Sequence, residues 1–229
     1  MIILGLIIQI LKYIAKQNVL DFSENILKDV LAKHGTPDSC KILSRYIEAL
    51  EILSSSDDGR INEEFLAKYL GIFKGEIELT SFYRLDDIKN ESSLYLVSKE
   101  YEAAPAHEIE FLMNSLFAYL NNPEESLANK IGVTLYMFEF VKPFDNFNRE
   151  LSFMVCKKLI LDSGVGENAV FVPLENIIVE PKFYSQAVKD IQKSRDLTYG
   201  LNIVFVPPYC IYNFSTALLN PLPPLLLSI

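Results

Sequence analysis

Tryptophan is missing from this 229-residue chain, histidine occurs only twice and cysteine three times. Neither His34 nor His107 has a second histidine or cysteine at ligand spacing, which argues against a zinc enzyme. Cys40, Cys156 and Cys210 are odd in number and far apart, so they write neither a disulfide framework nor a paired-cysteine metal site. Buried reduced thiols in a cytoplasmic protein are the expectation. Basic residues are also short: 21 Lys and Arg against 30 Asp and Glu leave a net charge of -9. Neutralising phosphates needs a basic face, so nucleic acid is not expected as a partner.

Long apolar runs are lacking too. A spanning helix needs about 20 consecutive apolar residues, whereas M-I-I-L-G-L-I-I-Q-I-L meets Lys12 and then Lys16. That order of charge is also wrong for a secretory signal, so a helix packed on the core is expected. Charge is absent after Asp196, over the last 33 residues. Pro207, Pro208, Pro221, Pro223 and Pro224 break that segment, and Asn213, Ser215, Thr216 and Asn220 make it too polar to span a bilayer.

What remains is an ordinary globular composition, 50% apolar and 22% charged, enough for one sizeable core. Apolar spacing predicts helices over 2–19, 23–33 and 40–53, with Thr36-Pro37-Asp38 as a turn. In the third, Ile42, Leu43, Tyr46, Ile47, Leu50 and Leu53 share one stripe. Ser54-Ser55-Ser56-Asp57-Asp58-Gly59 ends it, and a helix from Asn62 carries Phe65, Leu66, Tyr69 and Leu70 and closes at Gly71. Further helices are expected over 108–120, from the Pro123–Ser126 opening to Val141, over 149–163, and over 183–192.

One stretch reads differently. Phe82 to Ile88, the polar turn Lys89-Asn90-Glu91-Ser92, and Leu94 to Val97 have the pattern of a β-hairpin. Between two of the later helices lies K-P-F-D-N-F-N-R, Lys142 to Arg149, with an acid, two amides and an arginine in a turn.

In this order the pieces resemble the Fic (Fido) family, whose loop has the pattern H-P-F-x-[DE]-G-N-G-R-x-x-R between two helices. Four stretches carry the likeness and cover about residues 54 to 206. They are the hairpin with Phe82-Tyr83-Arg84, and Tyr101-Glu102-Ala103-Ala104-Pro105 with the following Ile109, Leu112-Met113 and Leu116 to Asn121. The other two are Leu135 to Ser152, and Tyr184 and Ala187 leading to Lys193-Ser194-Arg195-Asp196-Leu197-Thr198. The resemblance implies a mainly α fold, a Fic-type helical core with one β-hairpin flap. The expected organisation is a helical segment over 1–53 packed on the core, a Fic-like domain over 54–206, and an uncharged proline-rich tail over 207–229.

The resemblance also implies transfer of AMP from ATP, with Mg2+, to a hydroxyl of a target protein. The flap, with Phe82, Arg84, Leu94 and Leu96, would dock that target. In the family the loop histidine takes the proton of the attacking hydroxyl, but here Lys142 stands in its place. With a reference pKa of about 10.4 it stays protonated, and acting as a base requires a fall of roughly three. The loop has no glycine, is one residue short, and carries Ser152 at the second arginine position.

The position of that gap decides the remaining roles. If it follows Phe144, Asp145 is the metal-binding acid, Asn146 and Asn148 line the nucleotide cradle, and Arg149 grips phosphate. If it precedes Arg149, Asn146 replaces the acid and Asn148 keeps the family's asparagine. The first placement keeps the only carboxylate for a hard cation and is favoured on that ground. Ser54 to Gly59 is similar to the family's inhibitory [ST]-x-x-x-E-[GN] motif, with Ser54 and Asp58 as its ends, and is equally well a polar turn.

The functional expectation is a Fic-type protein with a degenerate site that binds a nucleotide or a protein partner without standard AMP transfer. The alternative is a working protein adenylyltransferase, or another nucleotidyl or phosphoryl transferase. It would take its base from a carboxylate or from His107. An oligomer is compatible with either.

Overall fold

The computed structural model describes residues 2–17, 20, 23–31, 40–55, 59–76, 82–88, 103–164, 166–177, 190–191 and 193–194. Seven α-helices stand among them: α1 (Ile2–Gln17), α2 (Glu24–Leu31), α3 (Lys41–Ser55), α4 (Glu63–Lys74), α5 (Ile109–Leu120), α6 (Leu127–Val141) and α7 (Asn148–Asp162). The expected tail over 207–229, the turn at 36–38, the Tyr184 and Ala187 positions and most of the 183–192 helix lie outside the described residues. No helix among the described residues is long and apolar enough to cross a membrane.

The boundaries follow from capping. The hydroxyl of Ser126 accepts from Asn129 N–H at 3.2 Å and starts α6, and Asn62 accepts from Phe65 N–H at 2.9 Å to start α4. The latter helix runs through Gly71, where the sequence suggested its end, and stops at Gly75. Gly75 adopts φ 71°, ψ 34°, and its N–H returns to Gly71 O at 2.7 Å, the left-handed closure that glycine makes at no steric cost. The Arg45 guanidinium lies over it so closely that a Cβ would fall 2.1 Å from Nη2.

α7 is the central element. Every residue from Glu150 to Ile160 is buried, which is the condition of a helix surrounded by others. α6 packs along it most extensively, α3 and α4 flank it, and α1 joins through Ile10, Leu11, Ile14 and Ala15 in the same core. Lys157, on α7, has no exposed surface. Its ammonium donates to Val170 O at 2.9 Å and Val172 O at 2.7 Å and lies 3.2 Å from Glu175 Oε1. The equally buried Glu175 also accepts from Tyr46 OH at 2.5 Å. Burial lowers the Lys157 pKa against the pull of Glu175, and burial and then Glu175 raise that of Tyr46.

The expected hairpin is not seen. Residues 82–88 form bends, no strand occurs among the described residues, and Leu94 to Val97 lie outside them. The first arm instead lies against the loop after α6, with Arg84 N–H donating to Pro143 O at 2.9 Å. Phe82 and Tyr83 pack on Phe144.

Removing Glu175 strands a buried ammonium. Glu175→Leu is expected to destabilise the protein by about 3–5 kcal/mol, and adding Lys157→Met to recover most of that loss, both read by urea unfolding. Tyr46 keeps its proton in the folded state above its ordinary value of 10.0, where the unfolded chain releases it. Its contribution is therefore intact below pH 10 and falls as pH rises past it. Lys157 has the opposite sign, costing less as pH climbs towards 10.5. Tyr46→Phe should accordingly flatten the loss of stability above pH 10.5 in denaturation series.

Candidate functional site

The end of α6, the turn Lys142–Phe147 and the start of α7 bring Lys142, Asp145, Asn146, Asn148 and Arg149 to one end of the central helix pair. Lys142 caps α6 in a left-handed conformation, φ 44° and ψ 63°, with its N–H on Phe138 O at 3.1 Å. Lysine has a Cβ that disfavours this region. Arg84 lies against the turn. That side chain is only 3% exposed and donates from Nε to Lys142 O at 2.8 Å and from Nη2 to Val141 O at 3.1 Å. Nη1 donates to Asp86 O at 2.7 Å and Nη2 also to Ala104 O.

Phe144 is buried, stacked on Tyr83 at 5.7 Å and edge-on to Phe82 at 5.4 Å. Asn148, the first residue of α7, clamps it. Its Oδ1 accepts from Phe144 N–H at 2.9 Å and its Nδ2 donates to Phe144 O at 2.6 Å. Between them Asp145 and Asn146 are exposed. Phe147 then adopts φ 66°, ψ 16°, a conformation costing a non-glycine residue roughly 1–2 kcal/mol. Its ring stacks on Phe73 at 5.9 Å, and Phe73 stacks on Tyr46 at 5.7 Å, joining the loop to the Glu175–Lys157 cluster. The ring is partly buried against the core, and that apolar contact offsets part of the strain of the turn.

Arg149 lies in the first turn of α7, where the helix dipole favours an anion. A side-chain anion is already there: Nη2 is 3.5 Å from Glu139 Oε2 of α6, both groups largely buried. Glu150 is a second, buried acid in the same turn. Ser152, at the place of a second arginine, is 3% exposed and turns its hydroxyl to Arg149 O at 2.8 Å.

The other expected residues fall elsewhere. Phe82 packs at the loop's edge, and Leu94 and Leu96 lie outside the described residues, as does Asp58. Ser54 sits in the last turn of α3 with its hydroxyl on Glu51 O at 2.8 Å. His107 is exposed in a 3-10 turn over Ala106–Glu108, 3.9 Å from the Glu108 carboxylate. Sequence reasoning missed Glu139 and the inward turn of Arg84. Two antiparallel helices joined by a short loop place a residue near the end of one opposite a residue near the start of the other, and this was the signal available for Glu139 and Arg149. Beside the loop, Tyr83 OH donates to Glu63 at 2.9 Å; burial, that bond and nearby Glu110 raise its pKa.

No group of three or more His, Cys, Asp or Glu able to hold a metal ion occurs among the described residues.

Among solved structures, a Fic family protein from Desulfovibrio desulfuricans G20 matches over 93% of this chain with a TM-score of 0.70 and 16% identity. A Fic domain containing signaling protein from Bacteroides thetaiotaomicron VPI-5482 matches over 86% with a TM-score of 0.59 and 13% identity. The chain spans 63% of the length of the first and 78% of the second. No family model matches the chain, and no curated protein matches it in sequence. At such low identity the likeness concerns architecture: the chain has the Fic fold.

Asn148→Ala removes both bonds of the Phe144 clamp and leaves a carbonyl and an amide to find other partners. A loss of about 1–3 kcal/mol in thermal or urea unfolding is expected, with Asn148→Asp intermediate because it keeps the acceptor alone.

Proposed function

We propose that this Fic-fold protein uses its Lys142–Arg149 turn to bind the phosphates of a nucleotide and does not carry out standard AMP transfer. The observation that carries the reading is Lys142. The residue standing at the family's base position keeps a defined turn at the end of α6, so the loop retains a built shape while a lysine stands where a histidine would accept the proton.

Two further features support it. The G-N-G of the family pattern calls for glycine where φ is positive. Phe147 is the one residue between Phe144 and Arg149 with positive φ, and Asn148 follows it as the pattern's asparagine would. This favours the gap before Arg149, with Asn146 rather than Asp145 in the acid's place. A neutral amide is a poor substitute for a carboxylate on Mg2+, so the residues do not fit a metal-assisted transfer. Arg149 is the phosphate grip, and Glu139 competes with the ligand for it.

The test has two arms. ATP, with or without Mg2+, is expected to raise the melting temperature, by the equivalent of about 2.7 kcal/mol at a hundredfold excess over Kd. Glu139→Gln should tighten binding and Arg149→Ala abolish it. In the second arm, labelled ATP, Mg2+ and lysate should give no labelled protein. Robust incorporation that disappears in Arg149→Ala would establish a working adenylyltransferase instead, and no response to ATP would remove the nucleotide.

A further inference from the structure

We propose that Arg84 is the positioning residue of the Lys142–Arg149 turn, holding Lys142 in its left-handed conformation and thereby setting how the loop faces its ligand. The functional half of this inference rests on the turn being a ligand site; the structural half does not.

The end of a helix leaves its last carbonyls without intrahelical partners, and each needs a donor when it is buried. At the end of α6 the donors come from far along the chain. Ala104 N–H serves Phe140 O at 3.0 Å, and Arg84 serves the next three carbonyls. Its Nη2 reaches Val141 O, its Nε reaches Lys142 O, and its backbone N–H reaches Pro143 O at 2.9 Å. Lys142 lacks glycine's freedom at positive φ, and Pro143 has no N–H with which to close a turn.

The choice of arginine follows from geometry. One planar fork reaches Val141 and Lys142 on one side and the Asp86 and Ala104 carbonyls on the other, a spread that a single ammonium does not reproduce. A cation at the C-terminal end of α6 also complements the helix dipole. Arg84 is therefore turned inward, its guanidinium engaged with main chain on both sides. Loss of this fork frees Lys142 to leave the left-handed region. The displacement then passes to Phe144, its clamp Asn148, and the adjoining Arg149.

Amide exchange, measured without ligand, tests the structural half. Arg84→Met is expected to speed exchange of the Phe144 amide about tenfold while amides inside α3 and α4 keep their wild-type rates. Arg84→Lys, which keeps the charge, should give a smaller acceleration and serves if Arg84→Met does not fold. The decisive comparison is the Lys142→Gly background, where glycine enters the left-handed turn without a Cβ penalty. There, replacing Arg84 should change Phe144 exchange by less than about threefold. Equal acceleration in both backgrounds, or acceleration shared by α3 and α4, would show that Arg84 only stabilises the fold and would overturn the proposal. ATP-induced melting shifts in the same proteins read the functional half: a shift in the wild type that is lost in Arg84→Met supports it, and a shift that survives in Arg84→Met refutes it. An unresponsive wild type sinks the nucleotide reading while leaving the exchange result standing.

Discussion

A charged ammonium sealed inside α7 constrains much of this molecule. Desolvating Lys157 is tolerable only because two carbonyls and a carboxylate surround it, so residues 170–175 must wrap against the helix to supply them. Glu175 in turn needs a second donor and takes Tyr46 from α3. From Tyr46 a run of stacked rings continues through Phe73 to Phe147, which is the residue that opens α7. A polar requirement deep in the core thus reaches, contact by contact, the turn that gives the fold its chemical interest.

That turn is held from two sides by unlike means. On one side an aromatic ring stacked on the core offsets part of the strain of an unfavourable backbone conformation at Phe147. On the other a buried guanidinium compensates the carbonyls around Lys142, which adopts a similarly unfavourable conformation. Two left-handed non-glycine residues within six positions would ordinarily loosen a loop. Here each has a partner drawn from a distant segment, so the loop keeps a single shape without glycine.

Much of the fold was legible in the sequence because the helices obey local rules. The Leu43, Tyr46, Ile47, Leu50 and Leu53 stripe of α3 emerged as read, with Ile42 only partly buried at its edge, and α6 opens directly after Pro123–Ser126. Gly71 misled, since a glycine within a helix and a glycine that ends one look alike until the left-handed Gly75 and the Arg45 side chain above it are seen. The strand expected at Phe82–Ile88 was one arm of a hairpin whose second arm, Leu94 to Val97, lies outside the described residues; the first arm forms bends, with Arg84 drawn inward by carbonyls. Within the site, the lysine and the missing glycines were visible. The inward path of Arg84 depends on contacts across 58 positions, which no local pattern records, whereas the pairing of Arg149 with Glu139 spans 10 and follows from two helices joined by a short loop.

Ser152 ties the loop's chemistry to the packing of the core. Its hydroxyl is folded back on its own helix and its surroundings are closed by core side chains, leaving only 3% of the residue in contact with solvent. A long cationic side chain at that position has no channel to the loop and would have to push apart the packing around α7, where even one added methylene is felt. Position 142 lies at a partly exposed turn, where a change of charge meets solvent, but position 152 belongs to the interior. A cation there would be a problem of core packing and desolvation and not of the loop alone.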